Sequence, residues 1–320
     1  LSTKLMVIGV SPFEVDFLES ASGIPVSSWV YPQNQEAGFY DYSIELGPMD
    51  FFEEYIAPFP YTKLANVQSK TRYGGMENAS CIFYHEKTVN GNQEGEPLFA
   101  HEIAHQWYGD AVSELDWHHI WISEGFATYL TDLYIENKYG REAFLASMFD
   151  EKRQVLDFAR IRLAPIVDTT LPVSAKLLNK NSYEKAAWVL HMLRHELGDE
   201  LFQCCVRTFY NDYKFDNALT EDFLQVVEYL SGRDFKAFFK QWFYTAGHPV
   251  ISKSWNYKKR QIRLNIQQVQ DYKSFSVPLE IRIEFKDGSF MDQKLDISQI
   301  EETFTLRSRK KPSRIILDPE

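Results

Sequence analysis

The sequence has few cysteines and no hydrophobic run long enough to cross a membrane. It has 320 residues and three cysteines, Cys81, Cys204 and Cys205, two of which are neighbours. An odd number with two adjacent does not indicate a disulfide framework, so we expect free thiols. A transmembrane helix needs roughly 20 consecutive apolar residues. No stretch approaches that length, so we expect no transmembrane segment in this chain.

Basic residues and targeting signals are also scarce. Lys and Arg together number 34 against 45 Asp and Glu, which gives a formal net charge of −11. A nucleic-acid-binding surface needs a basic excess, so we expect no nucleic-acid partner. The chain opens at Leu1 without an initiator Met, and no signal peptide can be read. We therefore interpret it as a piece of a longer protein and leave its compartment open.

Apolar residues are abundant, at 44% of the chain, and their spacing divides it. After Gly247-His248-Pro249 the hydrophobic period changes from helical to two, as in Val277–Phe285. This change predicts a small β-sandwich over residues 250–320. Near the start, Leu5–Val10 is short and apolar, as a buried strand would be. We interpret residues 1–22 as the remnant of an N-terminal β-domain.

The pattern H-E-x-x-H at His101, Glu102 and His105 carries the strongest chemical signal. It lies in a run that reads as helix, with Pro97 in the first turn. Residues four apart share one helical face, so the two imidazoles can bind one metal ion while Glu102 lies beside it. Neutral imidazoles on one face favour zinc.

A third ligand is expected from a carboxylate on the next helix, because two histidines leave a tetrahedral site incomplete. Glu124 follows His105 after eighteen residues, near the start of a second helical run. This spacing allows the first helix to end near Gly109-Asp110 and the second to return beside it. The sequence therefore predicts a zinc site formed by His101, His105 and Glu124.

The segment Gly74-Gly75-Met76-Glu77-Asn78 lies between two predicted strands, Leu64–Gln68 and Cys81–Tyr84. Two glycines before a strand suit a sheet edge that another backbone approaches closely. Such an edge can bind an extended peptide, and Glu77 could then pair with its N-terminal ammonium. The alternative is a glycine turn with a solvated Glu77, and the residues alone leave both open.

A further candidate lies in Ser182-Tyr183-Glu184-Lys185, which we predict to open a helix with Ser182 as N-cap. By itself this pattern gives Tyr183 no chemical role. An aromatic residue at a helix start commonly packs on the core.

Four motifs, in this order, resemble the gluzincin aminopeptidases of the aminopeptidase N (alanyl aminopeptidase) family, which includes the leukotriene hydrolases. They are Gly74-Gly75-Met76-Glu77-Asn78 (G-x-M-E-N in the family), H-E-x-x-H, the glutamate eighteen residues later, and Tyr183-Glu184-Lys185-Ala186-Ala187 (Y-E-K-G-A). Gly75 stands where many members have Ala, and Ala186 replaces the usual Gly. The resemblance covers essentially the whole chain.

The resemblance implies an α+β fold, namely a thermolysin-like zinc metallopeptidase domain over residues 23–249. That domain has a small β-sheet subdomain and a helical subdomain, and the β-sandwich follows it. The resemblance also implies a zinc-dependent aminopeptidase with Glu102 and Tyr183 as catalytic residues. Substrate binding would fall to Gly74, Gly75, Met76, Glu77 and Asn78. The expected partners are peptides with a free N-terminus and a missing N-terminal domain that packs on the catalytic one.

Three rival functions remain at this point. A leukotriene-type epoxide hydrolase would need a lipid tunnel. A thermolysin-type endopeptidase would cleave an N-acetylated peptide as fast as a free one. A non-catalytic peptide-binding scaffold related to the family would be marked by loss of a site His, Glu or Tyr, and all of these are present.

Overall fold

The computed structural model describes residues 5–319, and the chain divides into two compact units, Leu1–Ala246 and Gly247–Glu320. Residues 1–4, which belong to the predicted N-terminal remnant, lie outside the described residues. The remainder of that remnant belongs to the first unit together with most of the predicted metallopeptidase domain. A domain boundary at residue 22 therefore stays a prediction.

The first unit contains a five-stranded mixed sheet in the order β1-β2-β3-β5-β4. Two pairs, β1–β2 and β4–β5, are antiparallel, whereas β2–β3 and β3–β5 are parallel. The short strand β4 lies at the sheet edge, which confirms the edge predicted from the two glycines. The strands are β1 (Glu14–Glu19), β2 (Pro25–Val30), β3 (Leu64–Ser69), β4 (Gly75–Met76) and β5 (Cys81–His85).

The run Leu5–Val10 is not the buried strand that its composition predicted. Met6, Ile8 and Val10 have no strand conformation, and their side chains are 77–94% exposed. A strand needs a neighbour for its backbone hydrogen bonds. The sheet of the described residues begins only with β1, so this run has no such neighbour.

Nine α-helices and two short strands make up the rest of the first unit as described. The strands β6 and β7 pair in parallel. Among residues 5–319, no helix is both long and apolar enough to cross a bilayer. In chain order the elements are α1 (Gln35–Tyr42), α2 (Leu46–Tyr55), α3 (Glu96–Ala104), β6 (Val112–Glu114), α4 (Trp121–Tyr139), α5 (Arg141–Ile161), α6 (Ala186–Leu197), α7 (Asp199–Tyr213), β7 (Asp216–Ala218), α8 (Thr220–Ser231) and α9 (Lys236–Tyr244).

Helix α4 is the central helix of this unit, because it is buried on nearly every side along its first fourteen residues. Such a helix belongs to the interior of a domain rather than to its surface. It packs against α3, α5 and α6. Aromatic side chains fill the core around it, and Phe126 stacks on Tyr108 with ring centroids 4.3 Å apart. The first turn of α4 and the end of α3 are thus held together by a dense core.

Two predicted helix ends differ from the structure. Helix α3 stops at Ala104, well before Gly109, and His105 caps it. Gly109 adopts a φ of +131°, which takes the chain out of helical geometry. The segment predicted to open a helix at Ser182 is instead a π-helical turn, Asn181–Lys185, with α6 starting at Ala186. Ser182 Oγ donates to Leu177 O, so it does not serve as N-cap.

The second unit consists of two three-stranded antiparallel sheets, β11-β10-β13 and β12-β9-β8. Alternate residues of β9, β10 and β11, together with Ile315, form one apolar core. This is the arrangement that the period of two predicted for a β-sandwich. The strands are β8 (Ile251–Lys258), β9 (Gln261–Gln268), β10 (Val277–Phe285), β11 (Phe290–Ile297), β12 (Glu301–Arg307) and β13 (Pro312–Leu317).

Candidate metal centre and active site

Three donor atoms from α3, its cap and α4 converge in the first unit. The Nε2 atoms of His101 and His105 lie 3.1 Å apart. Glu124 Oε2 lies 3.4 Å from the first and 3.2 Å from the second. His101 occupies the last turn of α3, His105 its cap, and Glu124 the first turn of α4. The packing of the two helices thus brings together residues that eighteen positions separate.

The triangle of donor atoms has the size that a small tetrahedral ion requires. Ligand atoms about 2.0–2.1 Å from a tetrahedral ion lie about 3.3–3.4 Å from one another. The observed sides of 3.1–3.4 Å match this value. The donor set of two imidazoles and one carboxylate leaves a fourth position for water or substrate, as catalytic sites do. His101, His105 and Glu124 therefore fit a divalent metal.

The charges of these three residues depend on one another. Burial opposes ionisation of Glu124, yet the adjacent imidazoles hold the pKa of its carboxyl well below the usual range. Burial also opposes protonation of His105, but Glu124 raises the pKa of His105 to about 10. Burial lowers the pKa of His101. The pocket thus favours a positive charge beside Glu124, which a bound cation would supply in place of a proton.

Two groups that the sequence did not indicate as functional contact the His105 ring at Nδ1. Its Nδ1 lies 3.0 Å from the Tyr108 carbonyl oxygen and 3.2 Å from Ser123 Oγ. Donation of the Nδ1 proton to that carbonyl leaves Nε2 free to bind a metal. A Cβ at Gly109 would lie 2.5 Å from Ser123 Oγ and 2.8 Å from His105 Nδ1. Only a glycine leaves room for this arrangement.

Glu102 lies directly against the edge strand β4. It is buried, and a Cβ at Gly75 would approach its Oε1 to 2.3 Å. Burial raises the pKa of Glu102 to about 8; nearby His105 lowers it, and Glu77 and Glu124 raise it further. This carboxyl group therefore exchanges protons more readily near neutral pH than a solvated glutamate does.

Glu77 completes a second group of converging side chains. Its carboxylate lies near Glu102 and His105, with one potential ligand atom from each residue within 4.8 Å of the others. Glu77 follows β4 at the sheet edge, and Gly74 O accepts a hydrogen bond from His85 N. The structure thus places Glu77 beside Glu102 and His105.

The remaining residues of this segment surround β4. Gly75 and Met76 pair with β5. A Cβ on Gly74 would make ordinary contact with Leu98 at 3.4 Å. Met76 and Asn78 line a cavity with Phe83 beside the strand, and Asn78 is buried.

Tyr183 reaches the site from the π-helical turn. Its ring stacks on that of His101, with centroids 6.1 Å apart and planes 16° from parallel. Burial and the nearby Glu124 carboxylate raise the pKa of Tyr183. The hydroxyl therefore stays protonated and can act as a hydrogen-bond donor.

Known proteins resemble this chain in sequence. The sequence profile of the Peptidase family M1 domain matches residues 40–242. Aminopeptidase M1 from Arabidopsis thaliana is 28% identical over 268 residues, which cover 79% of this chain and 30% of that protein. Probable aminopeptidase 2 from Sulfurisphaera tokodaii is 25% identical, and the match covers 92% of this chain and 40% of that protein. Glutamyl aminopeptidase from Bitis rhinoceros is 26% identical, and the match covers 90% of this chain and 32% of that protein. The chain thus spans less than half the length of these relatives.

A solved structure has the same fold. The crystal structure of Legionella pneumophila aminopeptidase A in complex with aspartic acid superposes with a TM-score of 0.79 and 20% identity. The match covers 96% of this chain and 37% of that one. The α+β fold expected from the resemblance is confirmed. Because the family profile covers more than half of the chain, the chain belongs to peptidase family M1, a family of metallopeptidases.

Proposed function

We propose that the protein containing this chain is a zinc aminopeptidase, which removes the N-terminal residue of peptides. One observation carries the proposal. The Glu77 carboxylate lies beside Glu102 and the triangle of donor atoms, with one potential ligand atom each of Glu77, Glu102 and His105 within 4.8 Å of one another. The relatives are named aminopeptidases, which favours peptide hydrolysis over epoxide opening.

Zinc would be held by His101, His105 and Glu124. Two imidazoles with one carboxylate are a ligand set of catalytic zinc, and calcium or magnesium would instead need more oxygen ligands. When bound, zinc lowers the pKa of water to about 7 and polarises a carbonyl group. The size of the triangle of donor atoms, with sides of 3.1–3.4 Å, supports zinc as the bound ion.

Glu102 would act as general base. Its carboxylate takes a proton from the attacking water and passes it to the leaving amine. Its position one residue after His101 and its contact with Gly75 support this role. The β4 backbone lies against this carboxylate, and His105 lies near it.

Tyr183 would stabilise the transition state. Its hydroxyl donates a hydrogen bond to the oxygen of the attacked carbonyl as negative charge develops there. The stacking on His101 and the raised pKa support a neutral, oriented donor. The π-helical turn fixes the backbone that carries it.

The segment 74–78 would bind the substrate. Glu77 pairs with the N-terminal ammonium, while main-chain groups of Gly74 and Gly75 at the sheet edge align the peptide. Met76 and Asn78 would shape the surface next to the first side chain. The edge position of β4 supports this arrangement.

We also propose that an N-terminal domain outside this chain packs on the first unit. Phe17, on β1, is 70% exposed together with the apolar residues of the preceding run, and exposed apolar surface commonly marks an interface. Hydrogen exchange of residues 6–17 tests this proposal. We expect slower exchange in the full-length protein than in this chain alone, and equal exchange would contradict it.

The test of the activity is hydrolysis of a panel of aminoacyl anilides by the full-length protein. We expect a chelator to abolish cleavage, zinc to restore it, and N-acetylated anilides to resist it. Glu102→Gln should keep its zinc and lose at least about 10²-fold in kcat, while His105→Ala should lose the metal. Equal cleavage of acetylated substrates would indicate an endopeptidase instead, and normal turnover by Glu102→Gln would refute the general-base role.

A further inference from the structure

A fully buried amide side chain connects the metal-binding helix to the segment that carries Glu77. Gln106 follows His105 directly, and its side chain is buried completely. Its Nε2 donates to Glu77 O at 3.1 Å, and its Oε1 accepts from Ser80 N at 2.7 Å. Both ends of one amide are therefore used on the backbone of a single short segment.

That segment lies outside the regular sheet. The β4–β5 ladder pairs Gly75 with Tyr84 and Met76 with Phe83, and its described pairing ends there. The backbone of Glu77 therefore lies beyond the last ladder pair. Ser80, three residues later, adopts a φ of +58°, which is uncommon for a residue with a side chain. The hydrogen bond from Ser80 N to Gln106 helps to hold this conformation.

The same segment meets α3 at a second point. Gly75 lies so close to Glu102 that a Cβ there would overlap its carboxylate. Gly75 therefore contacts α3 at Glu102. Glu77 and Ser80 contact Gln106, which lies just after the end of that helix. The contact of Gly75 with Glu102 limits the distance between β4 and α3. The Gln106 amide then helps to place Glu77 and Ser80 relative to the end of that helix.

From this geometry we propose that Gln106 is a positioning residue for recognition of a free N-terminus. This inference rests on the proposed aminopeptidase function. By holding the carbonyl of Glu77, Gln106 sets the distance between the Glu77 carboxylate and the donors at His101, His105 and Glu124. That distance must match the span from the substrate ammonium to the attacked carbonyl. A misplacement of about 1 Å can cost about 10²-fold in such a site.

A purely structural role would have a different signature. Loss of a buried hydrogen bond destabilises the fold wherever it occurs. Gln68 provides the matched control, because it is equally buried and its amide also bonds two backbone groups. Its Oε1 accepts from Tyr31 N at 2.9 Å, and its Nε2 donates to Glu86 O at 3.1 Å. Neither partner belongs to the site.

The test compares two inhibitors that differ only in the amine. Leucine hydroxamate carries the ammonium, and 4-methylpentanohydroxamate lacks it, while both bind the metal through the hydroxamate. Their dissociation constants are measured by calorimetry on the zinc-loaded full-length protein, and the ratio reports on the ammonium alone. For the unaltered protein we expect a preference of about 10- to 100-fold for the amine.

Gln106→Met should reduce this preference at least tenfold, while binding of 4-methylpentanohydroxamate changes by less than threefold. Gln68→Met should keep the original ratio even where it lowers the melting temperature as much. Gln106→Asn, shortened by about 1.5 Å, retains a polar amide and serves if Gln106→Met does not fold. It should likewise reduce the ratio.

Two results would overturn the inference. One is an unchanged ratio in a folded Gln106 variant, and the other is an equal fall in Gln68→Met. Failure of the proposed function looks different, because the unaltered protein itself would then show no preference for the amine and no aminopeptidase activity.

Discussion

Replacing Gly109 by Ala tests whether the backbone behind His105 controls metal binding. Gly109 has a φ of +131°, and an added Cβ would lie 2.8 Å from His105 Nδ1 and 2.5 Å from Ser123 Oγ. Real Cβ atoms do not approach other atoms so closely, so the imidazole or the hydroxyl must move. Movement of the ring also disturbs the hydrogen bond from Nδ1 to Tyr108 O, now 3.0 Å long.

The expected effect has two parts. An alanine in a backbone conformation that suits only glycine costs about 1–3 kcal/mol of folding free energy. Disturbing the group that orients a histidine ligand typically costs about 10–100-fold in metal affinity, or about 1.4–2.7 kcal/mol. The first part lowers stability with or without metal. The second appears only when the metal-bound and metal-free proteins are compared.

Gly198→Ala separates the two parts. Gly198 also has a positive φ, +82°, but an added Cβ would meet nothing within 4 Å. Zinc affinity is measured by competition with a chromophoric chelator, and stability by thermal unfolding of the apo-proteins. We expect both variants to lose stability and only Gly109→Ala to lose zinc affinity. If Gly109→Ala bound zinc as tightly as the unaltered protein, the proposed control of His105 by this backbone would be refuted.

Three further predictions concern single side chains. Tyr183→Phe should keep zinc and substrate binding but lose about 10²–10³-fold in kcat, as measured with an aminoacyl anilide; a KM effect alone would argue against an oxyanion role. Glu77→Ala should raise KM for free peptides and weaken discrimination against N-acetylated ones, measured as the ratio of kcat/KM. Burial raises the pKa of Asp132 to about 7. The folded chain therefore binds more protons than the unfolded one between about pH 4 and 7. Because of this difference, the free energy of unfolding falls as pH rises through that window. Asp132→Asn should flatten this dependence in urea unfolding at pH 5 and pH 8, and an unchanged slope would contradict it.

The candidate metal ligands could be proposed from the sequence because two of them follow a local rule. His101 and His105 are four positions apart, and helical geometry alone puts such residues on one face. The observed Nε2–Nε2 distance of 3.1 Å agrees with that expectation, even though His105 caps α3 instead of continuing it. Glu124 required a different argument, namely the chemical need for a third ligand at the start of another helix.

Predictions failed where tertiary contacts override a local preference. Ser182 is a good N-cap by type, but its hydroxyl donates to Leu177 O, and the following residues form a π-turn in place of an α-helix. Leu5–Val10 has a strand composition, but the described residues give it no partner strand. Composition reports what a segment prefers, whereas the available neighbours decide whether the preference is realised.

The spacing between His105 and Glu124 is a consequence of the folded connection and not of any periodicity. After His105 the backbone closes wide turns, with Asp110 N bonded to His105 O and Val112 N to Trp107 O. The chain then forms β6, which is fixed by pairing with β7 about a hundred residues later. A short 3-10 turn leads into α4. Because β6 depends on pairing with residues about a hundred positions later, the spacing of eighteen residues can be recognised as a family pattern but cannot be derived from local rules. The close approach of Gly109 to Ser123 and His105 is likewise a tertiary contact, and it leaves no periodic signal in the sequence.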